Sequence, residues 1–106
     1  MLLMNGKLNL ATKEKLSHGV ELCEIHLDEN VPFRGSYFAV QPGCQTPLDA
    51  HQEKEIWIIL KGTGILHCDN RIIPVNENDI LYFKAHSTHQ ICNSGANNLL
   101  VCSIYW

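Results

Sequence analysis

The 106-residue sequence contains no long apolar segment, because its longest uninterrupted apolar run covers only residues 56–60. A membrane-spanning helix needs about 20 such residues, so no transmembrane helix and no membrane partner are expected. The N-terminus also lacks a basic region followed by an apolar core, which argues against a secretory signal. These absences predict a cytoplasmic protein.

A basic surface is lacking as well, since the net charge is -3 and charged residues make up 18% of the chain. Nucleic acids and anionic membranes attract basic proteins, so nucleic acid is not expected as a partner. The apolar share of 45% is ordinary for a globular protein, and the length suits one domain. A small molecule or another protein therefore remains as the partner.

Paired cysteine motifs are absent too. The five cysteines are scattered and form no CxxC pair, which a zinc ribbon or a redox dithiol would use. We interpret them as buried or half-buried free thiols in a reducing compartment.

Helical periodicity is missing from most of the chain. From Gly19 onward, short segments rich in Ile, Val, Leu, Tyr and Phe alternate with turn signals at intervals of about 8 to 12 residues. This rhythm is typical of an all-β sandwich or barrel. The clearest hairpin signal is Asp69-Asn70, because both residues tolerate positive φ.

The first 18 residues differ from the rest. Thr12 and the sequence Ser17-His18-Gly19 resemble a helix cap and a helix stop, which predicts one short helical turn. We therefore divide the chain into an N-terminal arm, residues 1–18, and one β domain, residues 19–106.

Potential metal ligands cluster before the apolar run. Asp49 and His51 are two positions apart, so on a strand their side chains leave the same face. Glu55 follows, and the residues after it predict a buried strand in which Trp57 and Ile59 share the inward face of Glu55. The opposite face of that strand is also apolar and needs a cover, either a second sheet or a partner subunit.

Two spaced motifs appear in the middle of the chain. The first is Gly43-x5-Asp49-x-His51-x3-Glu55-x6-Gly62, and the second is Asn78-x5-Lys84-x-His86-x2-His89-x3-Asn93. Together they resemble the two consensus motifs of the cupin superfamily, Gly-x5-His-x-His-x3 or 4-Glu-x6-Gly and Gly-x5-Pro-x-Gly-x2-His-x3-Asn. The resemblance implies a single-domain cupin jelly roll, which is all-β, and it implies a homodimer.

The resemblance also implies a ligand set. His51, Glu55 and His89 occupy the positions of cupin metal ligands, and Asp49 stands where the family has a fourth ligand, a histidine. Imidazole and carboxylate donors suit one divalent ion, either Fe, Zn, Mn or Ni. The second motif departs from the family at three positions, where Asn78, Lys84 and His86 replace Gly, Pro and Gly.

Each candidate residue also has a plainer interpretation. His51, Glu55 and His89 could form a hydrogen-bonded cluster in a cupin that has lost its metal. Asp49 is a fourth ligand or a base, or it reaches the ion only through water. His86 is a substitute ligand or a general base, or a solvated loop residue.

Two classes of function follow from the resemblance. The first is a metal-dependent enzyme that acts on a small polar metabolite by oxygenase, isomerase or lyase chemistry. This class includes enzymes of specialised metabolism, some of which rearrange amino-acid esters to form N-N bonds. The alternative is a non-catalytic cupin that binds or senses a small ligand.

Overall fold

The computed structural model describes residues 6–8, 13–26 and 30–106. Within these ranges the chain forms nine β-strands and no helix, so this part of the chain contains no helix that could cross a membrane. The strands are β1 (Glu14–Ser17), β2 (Val20–Ile25), β3 (Arg34–Val40), β4 (Glu55–Lys61), β5 (Gly64–Cys68), β6 (Arg71–Val75), β7 (Ile80–Phe83), β8 (His89–Asn93) and β9 (Leu99–Tyr105).

The strands form two antiparallel sheets. The larger sheet has the order β1-β2-β3-β9-β4-β7, and the smaller sheet has the order β6-β5-β8. Strands that are neighbours in a sheet are often distant in sequence, as β3, β9 and β4 are, because the chain crosses between the sheets. This topology confirms the prediction of an all-β jelly roll.

One apolar core lies between the two sheets. Both sheets contribute to it through inward-facing side chains: Val20, Phe38, Val40, Trp57, Ile59, Phe83, Leu99 and Val101 from the larger, and Leu66, Val75 and Ile91 from the smaller. Burial of this apolar surface is the main favourable contribution to folding.

Strand β4 alternates as the sequence predicts. Glu55, Trp57 and Ile59 are buried, while Ile56 and Ile58 are partly exposed. The buried face of β4 therefore carries both core residues and a carboxylate.

The outward face of the larger sheet is apolar beyond β4. Ile80 and Tyr82 of β7 lie directly opposite Ile58 and Ile56, and they are 69% and 55% exposed. The smaller sheet leaves this face exposed, and its cover by a partner subunit stays a prediction.

The predicted helical turn near the N-terminus is wrong over Glu14–Ser17, which form β1; Thr12 lies outside the described residues. Strand β1 pairs with β2, which gives its backbone partners that a single helical turn could not provide. Gly19 has a φ of 73°, so it serves the turn between two strands instead of ending a helix. The division at residue 18 stays a prediction.

The hairpin at Asp69-Asn70 is confirmed. Cys68 of β5 pairs with Arg71 of β6, which leaves a two-residue loop, and Asp69 has a φ of 52°. All five cysteines lie within the described residues as buried or partly buried free thiols, as predicted.

Candidate metal centre

His89, the first residue of β8, lies next to Asp49 through a short backbone bridge. The amide of Asp49 donates to the carbonyl of His89 at 3.1 Å, and the amide of His89 donates back at 2.9 Å. Residues that exchange both backbone hydrogen bonds direct their side chains to the same face of a sheet. The bridge therefore holds an exposed carboxylate beside a buried imidazole.

Glu55, the first residue of β4, is a buried carboxylate with both oxygens in use. Its Oε2 accepts hydrogen bonds from Trp57 Nε1 at 2.8 Å and from the hydroxyl of Ser103. Its Oε1 lies 2.9 Å from His51 Nε2 and 3.2 Å from His89 Nε2. One oxygen is thus anchored to the barrel, and the other faces both histidines.

Backbone carbonyls fix the tautomer of both histidines. His51 Nδ1 lies 3.0 Å from the carbonyl of Glu53, and His89 Nδ1 lies 3.2 Å from the carbonyl of Ser87. A carbonyl oxygen only accepts, so Nδ1 carries the proton in each ring. In a neutral ring, Nε2 then presents a lone pair to the lone pairs of Glu55 Oε1, which is repulsive unless a proton or a metal ion lies between them.

The donor geometry fits a divalent ion. Asp49, His51 and His89 each offer a donor atom, and these atoms lie within 4.8 Å of one another. Glu55 lies outside this group of three, but its Oε1 is close to both rings. Donors bound at about 2.1 Å from one ion lie roughly 3.0 to 3.4 Å apart. The 3.2 Å between Glu55 Oε1 and His89 Nε2 falls within that range, and the 2.9 Å to His51 Nε2 is just below it. Histidine ligands also commonly donate Nδ1-H to a carbonyl, as both do here.

The charges of Glu55 and His89 depend on each other. Burial opposes ionisation of Glu55, but hydrogen bonds from His89, Ser103 and Trp57 outweigh it and lower the pKa from 4.5 to about 2. Burial also opposes the charged form of His89, yet the hydrogen bond and the charge of Glu55 raise its pKa above the ordinary 6.5. The contact with Glu55 therefore favours a proton on His89 Nε2, and it would favour a bound cation there for the same electrostatic reason.

A cavity of about 290 Å³ opens beside this group. Its polar lining residues are Ser36, Thr46, Asp49, Glu55 and His89, and its apolar ones are Leu16, Leu22, Phe38, Pro47, Leu48 and Trp57. The carboxylates and His89 lie among the lining residues, so a ligand in the cavity would reach the donor group.

The model of the cupin domain family matches residues 36–105, which is more than half of the chain. The chain belongs to the cupin family. This match confirms the resemblance that the two spaced motifs carry. The matched residues include Asp49, His51, Glu55 and His89.

Relatives of this cupin differ in length and in name. Alginate biosynthesis protein AlgA of Pseudomonas aeruginosa is 31% identical over 82 residues, which are 69% of this chain but only 17% of that protein. The oxalate-binding protein of Thermotoga maritima is 29% identical over 84 residues, which are 76% of this chain and 69% of that protein. The crystal structure of a cupin 2 conserved barrel domain protein from Salinispora arenicola aligns with a TM-score of 0.80 and 26% identity, covering 100% of this chain and 90% of that one.

The cupin's departures from the second motif keep the backbone shape that glycine would give. Asn78 and His86 stand at the two glycine positions, and they have φ values of 71° and 66°. Asn tolerates this left-handed conformation well, whereas His86 adopts it at a cost of about 1 kcal/mol or more. The motif therefore describes a backbone requirement that this cupin meets with other residues.

The structure does not bring the side chain of His86 into the donor group. That side chain is exposed, and the group found among the described residues contains Asp49, His51 and His89. The backbone amide of His86 instead donates to the carbonyl of His51 at 2.7 Å. His86 thus supports the segment that carries His51.

Sequence reasoning missed three polar residues beside the centre, one of which is Ser36, a buried residue that lines the cavity. Ser103 lies directly opposite Trp57 in the pairing of β4 with β9, is 1% exposed, and donates to Glu55. Thr46 lines the cavity, and its hydroxyl accepts from the amide of Ile91 at 3.0 Å. The sequence offered one signal for Ser103, a serine within the otherwise apolar strand LLVCSIYW. It offered no comparable signal for Thr46.

Proposed function

We propose that the protein is a metal-dependent cupin enzyme that acts on a small metabolite, with Asp49, His51, Glu55 and His89 holding one divalent ion. The observation that carries the proposal is the arrangement at Glu55 Oε1. Two imidazole nitrogens face this oxygen, and the protons of both rings are already committed to backbone carbonyls. A cation completes this arrangement without any change of tautomer.

The donor set suits Fe(II), Mn(II), Zn(II) or Ni(II). Such an ion, when bound, supplies a Lewis acid that holds and polarises oxygen atoms of a substrate, as oxygenase, isomerase and lyase chemistry requires. Asp49 and Glu55 would together balance the two positive charges of the ion. The chain itself therefore adds little attraction for a strongly anionic substrate.

Asp49 and His86 are the proposed catalytic residues. Asp49 is exposed at the cavity and directly paired with His89, so it serves as the fourth ligand or as a base. His86 is the second candidate base, because its amide is bonded to His51 and this places its loop beside the ligand segment. Both assignments depend on a substrate that enters through the exposed side of the centre.

The test is metal content. Protein purified anaerobically without a metal-affinity resin is expected to carry about one divalent ion per chain, as measured by elemental analysis. In the variant Asp49→His, a fourth-ligand role predicts retained metal with a changed order of affinities among the four ions. Metal-free wild-type protein after growth with supplemented iron, zinc, manganese and nickel would contradict the proposal, and unchanged affinities in the variant would place Asp49 outside the ligand set.

The second candidate function is binding without turnover. It is favoured by the relative from Thermotoga maritima, whose name describes it as an oxalate-binding protein. The ion discriminates between the two functions: bound Fe(II) that reacts with oxygen favours an oxygenase, and tightly held zinc favours redox-neutral chemistry or binding. A protein that binds no metal favours a sensor.

We also propose that the protein forms a homodimer through the outward face of the larger sheet. Ile80 and Tyr82 on the edge strand β7 are exposed, and Ile56, Ile58 and Ile104 continue the apolar surface on β4 and β9. Exposed contiguous apolar surface of this kind marks interaction sites. Two copies packed face to face would bury it.

We expect the wild type to sediment at twice the 12.0 kDa mass of one chain and the variant Tyr82→Lys to sediment as a monomer. A charge within an apolar interface costs several kcal/mol when it is buried without a partner. The matched control is Ile72→Lys, because Ile72 is 69% exposed on the smaller sheet. Sedimentation of the wild type as a monomer would contradict the proposal, as would dissociation of the control.

The proposed compartment is the cytoplasm. All five cysteines are free thiols in the structure, and thiols persist in reducing compartments.

A further inference from the structure

We infer that the cavity takes an amphipathic ligand, one with a single polar head group at the metal centre and an apolar body of about one ring against its lip. The inference rests on the proposed function, because the head group is assigned to the ion. It narrows the substrate class from small metabolites in general to those with an apolar body, and it disfavours small dianions.

The charges around the cavity argue against a dianion. Among the described residues that line it, Asp49 and Glu55 are acidic, His89 is the one basic side chain, and neither Lys nor Arg is present. A second carboxylate that cannot chelate the same ion would find no other cation in this lining, and the nearby Asp49 and Glu55 would repel it. Like charges at such distances disfavour binding.

The lip of the cavity argues for an apolar body. Leu16 of β1 is 49% exposed. Leu48, which directly precedes Asp49, is 64% exposed, and both side chains line the cavity. Leu22, Phe38 and Trp57 continue the apolar wall inward. Large apolar side chains that stay in water at the mouth of a cavity gain burial when an apolar ligand covers them.

The size of the cavity sets the size of that body. An apolar cavity of about 150 Å³ accommodates benzene. The cavity here, about 290 Å³, therefore has room for one ring with a short polar arm, and it is small for a drug-sized ligand.

The experiment compares probes that differ in the apolar body or in the charge. The zinc-loaded 106-residue chain is titrated with acetate, phenylacetate and fumarate, a small dianion whose two carboxylates cannot chelate one ion, and binding is measured by calorimetry. Phenylacetate is expected to bind about tenfold or more tightly than acetate, and more tightly than fumarate. Methanol and benzyl alcohol are a neutral pair that differs in the apolar ring. Their affinities test the apolar lip in protein with or without the ion.

The variant Leu48→Ser is expected to weaken phenylacetate binding by about tenfold while leaving acetate binding and zinc content unchanged. Its matched control is Ile72→Ser, a similarly exposed residue outside the cavity, which is expected to change neither affinity. Because Leu48 is mostly exposed, its replacement leaves the core intact.

The outcomes separate this inference from the proposed function. Zinc-loaded protein that prefers fumarate or acetate to phenylacetate overturns the inference and leaves the metal centre intact. Equal phenylacetate affinities in the Leu48 and Ile72 variants overturn it as well. Protein that binds no metal overturns the proposed function, and a preference for benzyl alcohol that depends on Leu48 would still support the apolar lip.

Discussion

Replacing His89 with alanine is expected to lower the affinity for divalent metal by at least about 100-fold, so that the purified variant carries almost none. His89 offers one of the two imidazole nitrogens at Glu55 Oε1, and it is 4% exposed. The His89 ring also stacks on Phe83, with centroids 4.7 Å apart, and its loss leaves a cavity. Its loss also leaves the buried carboxylate of Glu55 without this partner, so the metal-free variant should be at least about 3 kcal/mol less stable than the metal-free wild type.

The matched controls are two other histidine variants. His51→Ala is expected to lose the metal with a smaller loss of stability, because His51 lies outside the strands and is partly exposed. His86→Ala is expected to keep the metal, since the exposed imidazole of His86 lies outside the donor group. Metal content is measured by elemental analysis and stability by urea unfolding. Full metal content in the His89 variant would remove His89 from the ligand set.

Replacing Glu55 with glutamine is expected to remove the metal and to destabilise the metal-free protein by about 3 kcal/mol near pH 6. The change keeps the volume of the side chain and leaves an amide oxygen that can still accept from Trp57 and Ser103, but it removes the charge that pairs with His89. Removal of one partner from a buried pair typically costs about 3 to 5 kcal/mol. Urea unfolding at several pH values measures the loss.

The pH dependence of that loss follows from the pKa values. The pKa of Glu55 is lowered to about 2, so its contribution to stability is present above pH 4.5 and disappears as the pH falls towards 2. The pKa of His89 is raised, so its contribution is complete below pH 6.5 and disappears as the pH rises through the folded value. The metal-free wild type should be most stable between these limits, and the Glu55→Gln variant should lack the maximum.

Ser103→Ala is the control for this experiment. It removes one hydrogen bond to Glu55 and leaves the carboxylate in place, so a loss of about 1 to 2 kcal/mol is expected with most of the metal retained. An equal loss of stability in the serine and glutamine variants would show that the charge of Glu55 is not what stabilises the pair.

Most of the fold could be predicted from the sequence, because most strands have an apolar face and the turns contain residues typical of turns. The alternation around Trp57 and the pair Asp69-Asn70 determine local structure without reference to distant residues. The segment Glu14–Ser17 could not be assigned in this way. Its four residues are exposed or partly exposed, and pairing with β2 decides their conformation.

The candidate site was only partly predictable for a related reason. Spacing brings Asp49, His51 and Glu55 together along the chain, and the second motif adds His89. Contacts across strands decide the rest: Ser103 reaches Glu55 because β9 pairs with β4 in one particular register. His86 replaces a glycine of the family motif, and this position is set by a backbone requirement. Its φ of 66° shows why glycine is usual there.

Some candidate ligands belong to regular strands and others to an irregular segment, and this difference affects how the centre would exchange its metal. Glu55 and His89 begin regular strands, whereas His51 lies in an irregular segment. That segment is fastened by the Asp49 bridge and by the amide of His86. Half of the centre is thus preorganised by the barrel, and the other half can open locally without unfolding it. We therefore expect the segment around His51 to control the rate at which metal enters and leaves.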